Sequence, residues 1–339
     1  MIHSTCGGCS WALAWFLLAA TAGAADYEVT ETDDEVKIST PELEAVISKK
    51  GYVTGTKRQT FLDKKTDSRD LGYGLDIVDW IMEPGSDEAY RDKLPAEMVY
   101  KINNEYHGKR PKRSIEGPQI CTQAKELSPQ MIRGKDFVAV KQQFKYLTAA
   151  PGKKTGSTWQ QTIVFPLGKR YFISSDQINA VNSSEAMFLR IDMPGHIKHK
   201  QGDTFSEIFL SYQGKIPSSE FLKNFAPDEK FNYRRDRDKV PERFIRAYHV
   251  RDPQTGKDGP WLAGMTLDPE IVSEAWCHQR DYVCLIEEFG ERPVKAGESF
   301  RAAFVVGWFD SLEEMQQVYD QYAGHSGLEV TEAGWKLLK

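Results

Sequence analysis

The chain has 339 residues and a mass of 38.5 kDa, with 40% hydrophobic and 12% aromatic residues and a net charge of −5. This composition excludes a disordered tail, a collagen-like fibre and a polytopic membrane protein. A balance of 44 basic against 49 acidic residues excludes a nucleic-acid-binding polycation, and five cysteines are too few for a disulfide-dense scaffold.

Residues 11–20 read WALAWFLLAA, and Ala22-Gly23-Ala24 follows with the small residues of a signal-peptidase site. An apolar stretch of this length is too short to span a bilayer, which takes about 20 residues. The pattern predicts a signal peptide over residues 1–24, although its start lacks Lys and Arg. Cys6 and Cys9 precede the apolar run, which argues against a lipoprotein. Residues 25–339 are then expected to be secreted or periplasmic, with no membrane attachment after cleavage. They keep three cysteines: Cys121, Cys277 and Cys284.

Residues 26–35 carry six acids and no base, which suits an exposed edge strand or a frayed lead-in. Strands are predicted at 36–40 and 43–48, then a turn at Lys49-Lys50-Gly51 and extended chain at 52–54. Further strands are predicted at 137–147, 158–165, 171–180, 187–191, 206–212, 244–250 and 282–288. The apolar run 302–309 (AAFVVGWF) suits a strand buried on both faces. Helices are few. Ser311-Leu312-Glu313-Glu314 fits a capping box, and Leu312, Met315, Val318, Tyr319 and Tyr322 recur at helical spacing before Gly324. A shorter helix is predicted from Ser218 or Ser219 to Phe225, ahead of Pro227. Short runs separated by turn residues favour antiparallel pairing over βαβ units. No repeat or linker divides residues 25–339, so the expected fold is mostly β: one large antiparallel two-sheet sandwich with a few short helices.

The order of these opening elements, with ELEAVISKKGYVTGTK (42–57) and then FLDKKTDSRD (61–70), resembles the start of the galactose-mutarotase-like supersandwich. The stretch TIVFPLGKRYFISSDQINAVNSSEAMFLRIDMPG (162–195) is similar to sandwich strands of secreted carbohydrate-active proteins of that group. The resemblance implies a sugar-related role, with mutarotases, epimerases, polysaccharide lyases and non-catalytic binders all within its range. Fold alone does not choose among them.

Three segments carry candidate chemistry. The first is NNEYHGKRPKRSIEGPQ (103–119), where Tyr106 and His107 are followed by Lys109, Arg110, Lys112 and Arg113. Crowded cations on an acidic protein point either to an anionic ligand or to a solvated basic turn. In a sugar-associated fold the anion would be an acidic, uronate-containing polysaccharide or oligosaccharide. Lyase-type β-elimination on it needs a carboxylate clamp, a base and an acid. Arg110 or Arg113 suits the clamp, with Lys109 beside them, while Tyr106 and His107 suit the proton transfers.

The second segment holds His196 and His199 after Pro194-Gly195, candidates for proton transfer and sugar contact respectively, with plain surface histidines as the alternative. The third is Trp276-Cys277-His278-Gln279-Arg280-Asp281-Tyr282-Val283-Cys284. A two-residue turn at Arg280-Asp281 would set Cys277 opposite Cys284, as a cross-strand disulfide requires. A Cys-His-Cys zinc site is the sharper alternative but lacks a fourth ligand. His278 and Arg280 are further candidates for sugar contact. So are Arg234 and Arg235 beside Tyr233, and Trp261, placed after Gly259-Pro260 as an exposed platform.

No metal and no cofactor is expected, and no phosphate loop, nucleophile elbow or zinc helix occurs in the sequence. The leading expectation is an exported protein acting on an acidic glycan. One alternative is a sugar epimerase or mutarotase, with His196 or His278 as acid and Glu287 as base. The other is a non-catalytic glycan-binding or envelope protein.

Overall fold

The computed structural model describes residues 27–53, 55–99, 110–117 and 119–339. The predicted signal peptide and Tyr106, His107 and Lys109 lie outside the described residues. The chain starts with six short strands: β1 (Glu28–Glu31), β2 (Glu35–Ser39), β3 (Leu43–Ser48), β4 (Thr56–Lys57), β5 (Leu62–Asp63) and β6 (Ser68–Arg69). Next come β7 (Gly72–Pro84), β8 (Lys112–Gly117), α1 (Ile120–Gln123), β9 (Gln130–Arg133), β10 (Phe137–Lys145) and β11 (Thr148–Ala149). The middle of the chain forms β12 (Thr158–Pro166), β13 (Tyr171–Asn179), β14 (Ser184–Lys198), β15 (Phe205–Leu210) and β16 (Gly214–Pro217). Then follow β17 (Tyr233–Arg234), β18 (Phe244–Arg251), β19 (Asp258–Thr266), β20 (Val272–Arg280), β21 (Tyr282–Val294) and β22 (Ser299–Phe309). The chain closes with α2 (Leu312–Tyr322), β23 (Gly327–Thr331) and β24 (Gly334–Leu338).

The fold is mostly β, as expected. A nine-stranded sheet runs β16-β15-β18-β19-β22-β13-β12-β10-β9, and an eight-stranded sheet runs β11-β8-β7-β14-β21-β20-β17 with β4 paired to β7. All pairings are antiparallel in both. Alternation decides which residues meet between the sheets. Val138, Val140, Phe165, Phe172, Phe304 and Trp308 of the larger sheet pack in one core with Leu189, Ile191, Val283, Leu285 and Phe289 of the other. Full burial of each such side chain contributes about 1.5–3 kcal/mol. The small sheet β1-β2-β3-β5-β6 adds Val36, Ile38, Leu43 and Ile47 to the same core.

The two outer faces differ. Helix α2 lays Met315, Tyr319 and Tyr322 on Ile173, Ala263 and Val305 of the nine-stranded sheet. The hairpin β23–β24 covers Phe137, Ala139 and Val164 farther along. Ser311 caps α2 as its spacing predicts, accepting from the Glu314 amide at 3.1 Å, while the Glu314 carboxylate accepts from the Asp310 amide instead of closing the box on Ser311. The outer face of the eight-stranded sheet carries charged and polar groups.

Several expectations are corrected. The strand predicted at 187–191 runs as β14 over Ser184–Lys198, because register shifts carry it past Pro194-Gly195. The helix predicted after Ser218 is a single 3-10 turn, Ser218–Phe221. Strands β7, β8, β19 and β20 are not among the predicted ones, since each mixes polar or Gly/Pro residues into a buried strand. The disulfide is absent: Cys277 pairs in register with Leu285, Cys284 pairs with His278, and both thiols are free. The turn centres on Asp281 alone, one residue away from the expected register. Such a slip reverses faces, so Cys277 points into the core and Cys284 to the outer face.

A buried ion pair joins the sheets. Arg246 of β18 and Glu287 of β21, both fully buried, meet at 2.6 Å, and Arg246 also donates to the Ile286 carbonyl at 2.8 Å. Thr266 Oγ1 donates to the other Glu287 oxygen at 2.7 Å. Removing one partner leaves a buried charge uncompensated, so Arg246→Met is expected to cost about 3–5 kcal/mol in urea denaturation. The double variant Arg246→Met/Glu287→Leu should recover most of that loss. Thiol titration of residues 25–339 in denaturant should return three thiols with or without prior reduction, and reductant should leave the thermal midpoint unchanged. A reductant-dependent thiol count would restore the cross-link.

Candidate functional site

The site lies on the outer face of the eight-stranded sheet, where β14, β20 and β21 turn alternate side chains away from the core. From β14 come Arg190, Asp192 and His196, from β20 Glu274, Trp276 and His278, and from β21 Tyr282, Cys284 and Glu288. Between Asp192 and His196 both neighbouring pairings shift register, and Gly195 takes φ +150°. A Cβ at Gly195 would sit 2.1 Å from the Gly74 carbonyl oxygen, so the approach of β7 requires glycine there. The irregularity brings the Asp192 carboxylate into hydrogen bonding with His196 Nε2.

Around this pair stand groups suited to proton transfer. His196 stacks on Tyr282 with ring centres 5.1 Å apart, and His278 meets the same ring edge-on at 6.1 Å. Tyr73 of β7 approaches His196 at 6.1 Å and Tyr282 at 5.2 Å. Asp79, also on β7, accepts from the Gln119 amide and from Cys121 Sγ, the latter at 3.7 Å. Burial, reinforced by the negative Asp192 nearby, pushes the Asp79 carboxyl up to about 7, and Arg190 and His196 only partly oppose this. Burial also raises the Cys284 thiol well above its ordinary value, so it stays protonated.

Asp192, His196 and Cys284 offer ligand atoms within 4.8 Å of one another, a donor set that a divalent metal could use. Carboxylate and imidazole are bonded directly to each other. An ion would have to part them.

The other end of the face is a charge network. Lys112 lies 2.8 Å from both Glu274 and Glu288, and Arg190 reaches Glu288 at 2.6 Å. Arg110 pairs with Glu274 at 3.2 Å and with Glu291. Lys112 and Arg190 also stand over the Trp276 ring at 4.5 and 4.9 Å. Burial opposes the ionised form of Glu288, but Lys112 and Arg190 outweigh it and hold the carboxyl below its ordinary value. The three cations balance three acids.

Several predicted site residues are placed elsewhere. Arg113 is engaged with Glu83 at 2.7 Å, so Arg110, Lys112 and Arg113 are all paired and give no surplus charge for a polyanion. His199 is fully buried, stacked 3.7 Å from Phe205 and bonded to Thr204. Trp261 is 4% exposed, with His249 stacked on it at 4.5 Å, and is no open platform. Arg234 is held by Asp236 at 2.7 Å. Arg235 donates to the carbonyls of Glu270, Ile271, Gly290 and Glu291, a backbone clamp. Arg280 is exposed at the tip of the β20–β21 hairpin. Glu287 faces Arg246 inside the sandwich and cannot serve as base for a ligand on the outer face.

His196 and His278 are brought together. Asp79, Tyr73, Tyr282 and Asp192 were not among the predicted site residues, and Cys284 was predicted only as a disulfide or zinc partner. Polar residues at alternate positions in β14 and β20 were the available signal.

No protein-family model matches the sequence, and no curated protein matches it significantly. Solved structures do resemble the fold in outline. A protein described as an aldose 1-epimerase from Klebsiella pneumoniae has a TM-score of 0.44 at 11% identity, over 87% of this chain and 86% of that one. Galactose 1-epimerase from Lactobacillus acidophilus NCFM has a TM-score of 0.40 at 7% identity, over 84% and 98%. The 4-alpha-glucanotransferase from Thermococcus litoralis scores 0.42 at 11% identity over 85% of this chain, which spans only 40% of that protein's length. The first two carry the name of an aldose 1-epimerase or galactose 1-epimerase; similarity at this level assigns this chain no family and no residue a role.

Proposed function

We propose that the outer face of the eight-stranded sheet transfers protons at the anomeric centre of a sugar, in the manner of a mutarotase or aldose 1-epimerase. The observation that carries this reading is the hydrogen-bonded Asp192–His196 pair beside Asp79, a buried carboxyl held near 7. Anomer interconversion needs one base and one acid in reach of the same ring. His196, oriented by Asp192, takes the proton from the C1 hydroxyl. Asp79 gives its proton to the ring oxygen as the C1–O5 bond breaks, leaving the open-chain aldehyde. Rotation about C1–C2 and reversal of both transfers close the other anomer, and both groups return to their starting states. Tyr73 and Tyr282 supply aromatic faces for the ring, and His278 a further polar contact.

The apolar run at residues 11–20 supports an exported location for this activity. N-terminal sequencing of protein recovered from outside the cytoplasm should begin at Ala25.

Polarimetry with a panel of aldoses should show anomer interconversion above the spontaneous rate. Asp79 acts as the acid, so kcat should fall about tenfold per pH unit above pH 7 as its proton is lost. Asp79→Asn should lower kcat by about 10²–10⁴-fold and remove that alkaline limb, with the thermal midpoint retained. Absence of turnover on every aldose, or full activity in both Asp79→Asn and His196→Asn, would overturn the assignment.

A further inference from the structure

Beside the acid–base groups lies a cavity of about 440 Å³, within the range of small-molecule sites. Tyr52 and Tyr73 line it together with Lys50, Lys57, Arg58 and Asp34. Both tyrosines connect it to the catalytic groups. The Tyr73 ring is the one that approaches His196 and Tyr282, and Tyr52 stands near Cys121, whose thiol bonds Asp79. The cavity is therefore the mouth of the same site.

Its charge is opposite to that of the whole chain. Lys50 pairs with Asp34 at 3.2 Å and Lys57 with Glu35 at 2.5 Å, in contacts largely open to solvent. Exposed pairs of this kind contribute little and can be exchanged for an incoming anion. Arg58 is exposed, and no ion pair to it is found among the described residues. Lys198, also exposed, holds its ammonium 5.6 Å from the Tyr73 ring centre, a second cation beside the same wall. Neither Asp79 nor Asp192 lines the cavity; beyond its Tyr73 wall lies the Asp192 carboxylate bonded to His196. An anionic substituent is thus attracted at the rim by Arg58 and Lys198, which orients the ligand with its anion outward and its anomeric end toward His196.

We propose that this mouth selects a sugar carrying an anionic group, with Arg58 and Lys198 taking the anion and Tyr73 the ring. This inference rests on the proton-transfer reading only for the direction in which the sugar lies. Arg58 offers the paired donors that suit a carboxylate, a sulfate or a phosphate alike. A neutral sugar gains nothing from them.

The test measures binding separately from turnover. Isothermal titration calorimetry with residues 25–339 would compare a hexose, the matching hexuronate, the hexose 6-sulfate and the hexose 6-phosphate, at low and high salt. At least one anionic form should bind tenfold or more tightly than the neutral hexose at low salt, with the advantage shrinking as salt is raised. The tightest of the three identifies the anion. Arg58→Glu should abolish the advantage or invert it, whereas Arg243→Ala, which removes a surface arginine paired with Asp320, should leave it intact. Equal affinity for neutral and anionic forms, or an unchanged preference in Arg58→Glu, would overturn the proposal even if aldoses are turned over. Tight, Arg58-dependent binding without turnover would sustain it and overturn the proton-transfer reading instead.

Discussion

The irregularity between Asp192 and His196 is the constraint on which the site depends. In a regular strand two residues four apart face the same way but stand about 13 Å from each other. Here they share a hydrogen bond, because both partners of β14 shift register across that segment. The shift needs β7 and β14 to approach closely. Gly195 permits this opposite Gly74, and Gly72 permits it again, since a Cβ there would sit 1.6 Å from the His196 carbonyl oxygen. Without either approach the imidazole would part from its carboxylate, Tyr282 would lose its stacking partner, and Asp79 would lose the base beside it.

The second organising principle is the separation of two kinds of buried charge. Between the sheets, Glu287 is matched by Arg246 and Thr266, which only partly offset the burial that raises its carboxyl. On the outer face, Glu288 is matched by Lys112 and Arg190. Asp79 lacks a direct cation and keeps a proton to exchange near neutrality; burial raises the carboxyls of Asp76 and Asp176 as well, but Asp79 is the one beside His196 and Asp192. Position beside His196, and not proton affinity alone, singles out Asp79 for chemistry.

Much of the scaffold was legible in the sequence and much of the site was not. Alternating apolar runs located β10, β12, β13 and β22, and the Ser311 cap located α2, because local sequence alone determines these features. The register of the β20–β21 hairpin depends on a single turn residue, Asp281, and composition does not reveal it. That one position decided whether Cys277 met Cys284 and whether Glu287 faced a ligand or the core. Burial of His199 and Trp261 is a tertiary outcome, set by Phe205 and His249 from other strands. The cations after Lys109 looked free because their acids, Glu83, Glu274, Glu288 and Glu291, come from distant segments. Asp79 was invisible for the same reason: its unusual proton affinity arises from packing.

Glu287 and Glu288 are neighbours in the chain that belong to different compartments, one sealed between sheets and one at the open face. The same holds for Cys277 and His278, and for Ile191 and Asp192. A change of chain length is therefore expected to be tolerated in the turns and not inside these strands. A residue gained or lost within β14, β20 or β21 would exchange lining for filling along the rest of that strand, so the chemistry of this face can be altered only by replacing side chains on a fixed count of residues.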